Sequence, residues 1–189
     1  MKSYLIVIAG LPGTGKTTAG RKLRDSLDNY FLVDQNELRR EAGMKRMPEN
    51  QDRILRGIDK LVGKYLGQGN GVIVESGHRH QFRRQQLYGI ASSHDTNVVI
   101  IECVCSEALS KYRMGNRNKS DRLISDPRNP EVYNRIKSLW EDIDNDFRYL
   151  GVDYFVSYMT FDSKKQIVNK NRISKGMKAF IKKVEGILK

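Results

Sequence analysis

The sequence predicts a three-layer α/β fold: a parallel sheet of about five strands with helices on both faces. Three observations point to it. Short apolar runs recur along the 189 residues, helical patterns fall between them, and the first run leads into a glycine-rich loop that opens a helix. Strands that are apolar at every position are covered on both faces, as in parallel sheets wrapped by helices.

The elements follow in order. YLIVIA (4–9) reads as the first strand, and a helix follows over about 16–27. YFLV (30–33) is the second strand, with a helical pattern at 50–67 after it. Gly67-Gln68-Gly69-Asn70-Gly71 stops that helix and opens the third strand, GVIVES (71–76). Helix 81–92, strand NVVIIECV (97–104) and helix 106–116 come next, then helix 130–149 and strand DYFVSY (153–158). A last helix is expected over 173–188, with Ile173, Met177, Phe180, Ile181, Val184 and Leu188 on its packed side. No repeat or linker-like tract interrupts the chain, so a single domain is expected over 1–189.

Composition limits the partners. No run is long and apolar enough to span a membrane, and no small-residue cleavage site precedes the glycine-rich loop, so a cytoplasmic protein is expected. Cys103 and Cys105 stand two apart on one strand face, a poor geometry for a disulfide, and are read as reduced thiols. The net charge is +12, and residues 163–189 supply +8 of it through nine Lys or Arg against one acid, Glu185. Such a surface attracts polyanions, nucleic acid foremost. Lys175, Lys178 and Lys182 also fit the solvated face of the last helix, and the two readings are compatible. Oligomeric state is not legible.

The loop at residues 10–18 reads GLPGTGKTT. Gly10, four residues, then Gly15-Lys16-Thr17 is the Walker A pattern. Gly10, Leu11, Pro12, Gly13, Thr14 and Gly15 form a turn whose glycines let backbone N–H groups point inward around phosphate, and the helix continuing through Lys16, Thr17 and Thr18 points its positive end at the same charge. Lys16 is placed for the β and γ phosphates and Thr17 for Mg²⁺. ATP and Mg²⁺ are the expected cofactors. Asn118-Lys119-Ser120-Asp121 matches a guanine-reading motif but follows the polar stretch ALSKYRMGNR instead of a buried strand, so a GTPase is the weaker class.

With these residues in hand, the chain resembles the small P-loop kinases: polynucleotide 5′-hydroxyl kinases, zeta-toxin-like kinases and adenylylsulfate kinases. The resemblance covers roughly residues 4–160. It implies a P-loop NTPase fold with an arginine-bearing lid, and transfer of the γ-phosphate to an alcohol. Val33-Asp34-Gln35-Asn36-Glu37-Leu38-Arg39 is similar to the family's second-strand motif, whose basic residue, here Arg39, grips the acceptor. Val72-Ile73-Val74-Glu75 resembles the strand ending in an acid that serves the metal or the acceptor. Residues 106–128, with Arg113, Arg117 and Arg122, resemble the lid, whose arginines neutralise the transferring phosphoryl and exclude water.

The second-strand motif departs from the family at one position. Asn36 stands where a second Asp usually acts as base. Asp34 can take the proton, Glu37 can swing in, or positioning and charge neutralisation suffice without a strong base. Nucleotide binding without transfer is a fourth outcome. Asp34 is the favoured candidate, with Asn36 orienting the acceptor. Beyond Glu75, His78, Arg79, His80, Arg83 and Arg84 form a basic patch placed for an anionic acceptor, and His78, Arg79 and Arg83 are the candidate contacts. The leading acceptor is a polynucleotide or nucleotide-like hydroxyl. A small metabolite, with the basic tail merely solvated, is the alternative.

Overall fold

A computed structural model describes residues 3–44, 48–116, 129–148 and 155–189. Six strands form one sheet: β1 (Tyr4–Ala9), β2 (Tyr30–Asp34), β3 (Gly71–Glu75), β4 (Asn97–Val104), β5 (Val156–Asp162) and β6 (Ile167–Arg172). Their order is β2-β3-β1-β4-β5-β6, parallel except for the β5–β6 hairpin.

Between the strands lie α1 (Lys16–Ser26), α2 (Gln35–Glu41), α3 (Pro48–Gly67), α4 (Gln81–Ser92), α5 (Glu107–Gly115), α6 (Pro130–Ser138), a 3₁₀ turn (Ile143–Arg148) and α7 (Lys178–Leu188). The apolar runs divide by parity. Leu5, Val7 and Ala9 of β1 pack with Ile54, Ile58 and Val62 of α3 and Leu87 of α4 on one face. Ile6 and Ile8 pack with Ala19 and Leu23 of α1 and Ile181 and Val184 of α7 on the other. Side chains alternate across a strand, so covering both faces requires both parities to be apolar. That is the predicted three-layer architecture.

The departures have local causes. β6 lacks an apolar run because it is an edge strand, and Val168 is its one buried side chain. Strand 153–158 is displaced: β5 runs on to Asp162, while 153 and 154 lie outside the described residues. The last helix begins at Lys178, after Gly176 at φ 82°, and Ile173 is exposed ahead of it. Helix 130–149 breaks after Ser138, because the Glu141 N–H donates to the Arg79 carbonyl across to the β3–α4 loop. α2 was not expected from its polar sequence. It forms because the Asp34 carboxylate caps it, accepting from the Asn36 N–H at 2.7 Å.

Candidate active site

The carboxyl ends of β1, β2 and β3 converge on the loop between β1 and α1. Gly10, Gly13 and Gly15 adopt φ of 140°, 80° and 95°, which side-chain-bearing residues rarely reach. Close approach forbids a side chain as well. A Cβ on Gly10 would lie 2.5 Å from the Cys103 carbonyl oxygen, and one on Gly13 would overlap the Ser110 carbonyl. The Thr14 hydroxyl donates to the Leu11 carbonyl at 2.8 Å, and the Lys16 ammonium donates to the same oxygen at 2.9 Å. Thr17 and the exposed Thr18 open α1 directly behind them. Pro12 lies within the same turn, partly exposed.

Two acids face this loop from neighbouring strands. Asp34 and Glu75 are register partners at the ends of β2 and β3, and each is 3% exposed. The Thr17 hydroxyl donates to Glu75 Oε2 at 3.4 Å. Burial pushes the Glu75 carboxyl up to about 7; the Lys16 ammonium opposes the rise and the Asp34 carboxylate reinforces it. The cluster is a hydroxyl, two carboxylates and a lysine, with hard oxygen donors suited to Mg²⁺, which takes one or two carboxylates and completes its shell with phosphate and water.

Arg113, in the last turn of α5, reaches the loop from the far side. Its Nη1 donates to Ser163 Oγ at 2.8 Å and to the Gly13 carbonyl at 3.3 Å. Gly15, Thr18, Lys22, Arg113, Ser163 and Gln166 line a cleft of ≈ 250 Å³ beside the loop. Arg117 and Arg122, like Asn118 to Asp121, lie outside the described residues.

The acceptor side is arranged differently from the expectation. Arg39 is buried and bonded to Gln51 of α3, which also accepts from Gln35. Asn36 lies in the first turn of α2, and Glu37 faces Arg21 at 3.8 Å instead of the acids. The basic patch after β3 is largely absorbed by the fold. Arg83 is 5% exposed and pairs with Asp59 at 2.7 Å, so it is not presented at the strand ends. Arg84 is fully buried. It grips both oxygens of Asp146 at 2.6 Å and donates to the His78 carbonyl at 2.9 Å, while Tyr88 donates to the same carboxylate.

His78 is 4% exposed at φ 46°, and neither ring nitrogen has a hydrogen-bond partner among the described residues. Burial, reinforced by the charges of Arg83, Arg84 and Lys16, pushes its pKa down to about 3, so the ring is neutral at physiological pH. Arg79 remains partly exposed, its Nε donating to His80 at 2.8 Å. Sequence reasoning missed the Arg84–Asp146–Tyr88 cluster. Residues 62 apart carry no local signal of pairing, although a run of five basic residues entering a helix demands buried partners for those that turn inward.

Residues 5–138 match the model of the AAA domain (AAA_33). A shikimate kinase of Caldicellulosiruptor bescii is 28% identical over 80 residues, 36% of this chain; the aligned part is 46% of that enzyme, about half its length. A putative kinase of Chloroflexus aurantiacus superposes with TM-score 0.66 at 19% identity, covering 100% of both chains. A chain of the Pnkp1/Rnl/Hen1 RNA repair complex gives TM-score 0.57 at 16% identity over 74% of this chain and 46% of its own. At these identities the structural likenesses establish the P-loop kinase fold.

Proposed function

This chain belongs to the AAA domain family, and from that premise we propose that it is an ATP-dependent kinase that transfers the γ-phosphate to a hydroxyl. The carrying observation is the convergence of a three-glycine anion loop and its lysine on two buried, register-paired carboxylates, Asp34 and Glu75. A loop alone fits any nucleotide-binding protein. A loop facing recessed acids at the adjacent strand ends fits one that positions an acceptor.

Backbone N–H groups of residues 13–15 hold the phosphates, and the cleft lined by Arg113 and Gln166 takes the nucleoside end. Lys16 leaves the Leu11 carbonyl for the β and γ phosphates, and Arg113 neutralises charge as the phosphoryl moves. Thr17 and Glu75 would hold Mg²⁺, which would supply positive charge to offset that of the phosphates. Asp34 sits beside them as the base, its carboxylate held in place by accepting from the Asn36 N–H. Asn36 orients the acceptor hydroxyl, Arg39 braces the α2–α3 wall of the acceptor side, and Arg79 meets an anionic acceptor at its rim. Arg117 would join Arg113 over the phosphates.

The leading acceptor is the 5′-hydroxyl of a polynucleotide or nucleotide-like molecule. The net charge of +12 and the likeness to a chain of an RNA repair complex favour it. The alternative, a small-metabolite acceptor, is favoured by the alignment with shikimate kinase and by how few of the patch arginines stay exposed. Incubation with γ-labelled ATP separates them: label on 5′-hydroxyl oligonucleotides at low salt supports the first. Label only on members of a hydroxylated metabolite panel overturns it in favour of the second.

A further inference from the structure

The basic C-terminal stretch forms a continuous surface in three dimensions. Residues 163–189 carry +8, which leaves +4 for the other 162 residues. The β5–β6 turn begins at Ser163, the hydroxyl held by Arg113 at the rim of the cleft, and presents exposed Lys164 and Lys165. β6 then runs away along the open sheet edge with exposed Asn169, Lys170, Asn171 and Arg172. α7 continues the surface with exposed Lys178, Lys182 and Lys183, and Lys175 stands just before it.

The acids here are few and committed. Glu185 pairs with Lys170 and Lys189, Asp144 with Arg172, and Asp162 accepts from the backbone of its own turn. Lys164, Lys165, Lys175, Lys178, Lys182 and Lys183 take part in no ion pair recorded among the described residues. Their placement does not serve the helix. Lys178 opens α7, where the helix dipole disfavours a cation and the first turn holds no acid, and Lys178 and Lys182 repel as a like-charged i,i+4 pair.

We propose that the β6 edge and the outer face of α7 are a binding surface for the phosphate backbone of a nucleic acid strand, separate from the reaction centre. Repulsion among these lysines is relieved when phosphates displace their counterions. Edge asparagines alternating with Lys170 and Arg172 add hydrogen-bonding groups for phosphate and sugar. An anionic bilayer fits less well. A membrane-surface helix buries an apolar face in lipid, whereas Met177, Ile181, Val184 and Leu188 are already spent on the core, and no aromatic side chain is exposed on this face.

The test uses the full chain without ATP and a labelled single-stranded 20-mer bearing a 5′-phosphate, which cannot act as acceptor. Binding is read by anisotropy over a salt series. Replacing Lys175, Lys178, Lys182 and Lys183 with Ala is expected to weaken binding tenfold or more and to lower the slope of log affinity against log salt by about 2 to 3. The four Lys→Arg changes are expected to keep affinity and slope. Unchanged binding in the Ala variant, with an unchanged melting temperature, overturns the proposal. So does capture by phosphatidylserine-containing vesicles at a salt concentration where the 20-mer is not bound. No phosphotransfer is measured, so this result stands or falls independently of the kinase reading.

Discussion

The two sides of the site were written into the chain in different ways. On the nucleotide side, residues 10–18 act through backbone shape: three left-handed glycines, a helix start and one lysine, all contiguous. On the acceptor side, residues 75–84 act through side chains whose partners come from α3 and from the 3₁₀ turn, far away in sequence. Five basic residues in HRHQFRR become one partly exposed arginine, a neutral buried histidine, a histidine facing Glu141, and two arginines sunk into ion pairs. A motif made of backbone is readable locally. A patch made of charge is readable only once its counter-charges are placed.

The largest test of this contrast removes a buried charge from the acceptor side. Arg84→Ala leaves Asp146 with both carboxylate oxygens unpaired by guanidinium in an interior with no water access. A loss of about 3–5 kcal/mol is expected, read as a fall in denaturant midpoint. A loss under about 1 kcal/mol would mean that Arg84 is no structural brace.

Lys16→Ala strikes the other side. Lys16 donates to the Leu11 carbonyl and lies near the buried Glu75 carboxyl, outside the apolar core, so only a modest change in stability is expected. Turnover should fall by about 10²–10³, the scale of one lost charge-stabilising group at a transition state. Equal turnover in both proteins would remove the loop from the chemistry.

Glu75→Gln probes where the two sides touch. The Glu75 carboxyl is raised to about 7 by burial, against an ordinary value of 4.5. Its folded pKa lies above its unfolded one, so its contribution to stability is fully present below pH 4.5 and is lost as pH rises through about 7. In metal-free buffer the Gln variant should therefore gain on the wild type between pH 4.5 and 8, by at most about 3 kcal/mol. A difference in melting temperature that stays flat across that range contradicts the assignment.

The smallest expected effect separates the exposed arginine from a paired one. Arg79→Ala should raise KM for an anionic acceptor about tenfold with kcat and stability preserved. Arg83→Ala should instead lower stability through Asp59, with KM for the acceptor scarcely moved. Reversal of the two patterns would return Arg83 to the acceptor.

What the sequence made legible follows the same division. The three layers, the order of elements and the cradle all follow from apolar runs and glycine spacing. Asp34 and Glu75 were identified as strand-end acids, yet their adjacency rests on β2 lying next to β3, a topological fact. α2 was hidden because its one strong signal, the cap, is Asp34 itself, a residue already read as chemical. β6 was hidden because an edge strand needs only Val168 inside. Arg83 and Arg84 were misplaced because nothing local marks Asp59 or Asp146 as their partners.

The most direct test of the kinase reading is single-turnover transfer from γ-labelled ATP to a 5′-hydroxyl oligonucleotide by the wild type and by Asp34→Asn. The expected result is label on the oligonucleotide end, with transfer slowed at least about tenfold by the substitution and ATP affinity unchanged. Label released only as inorganic phosphate, or transfer equally fast in both proteins, would contradict it.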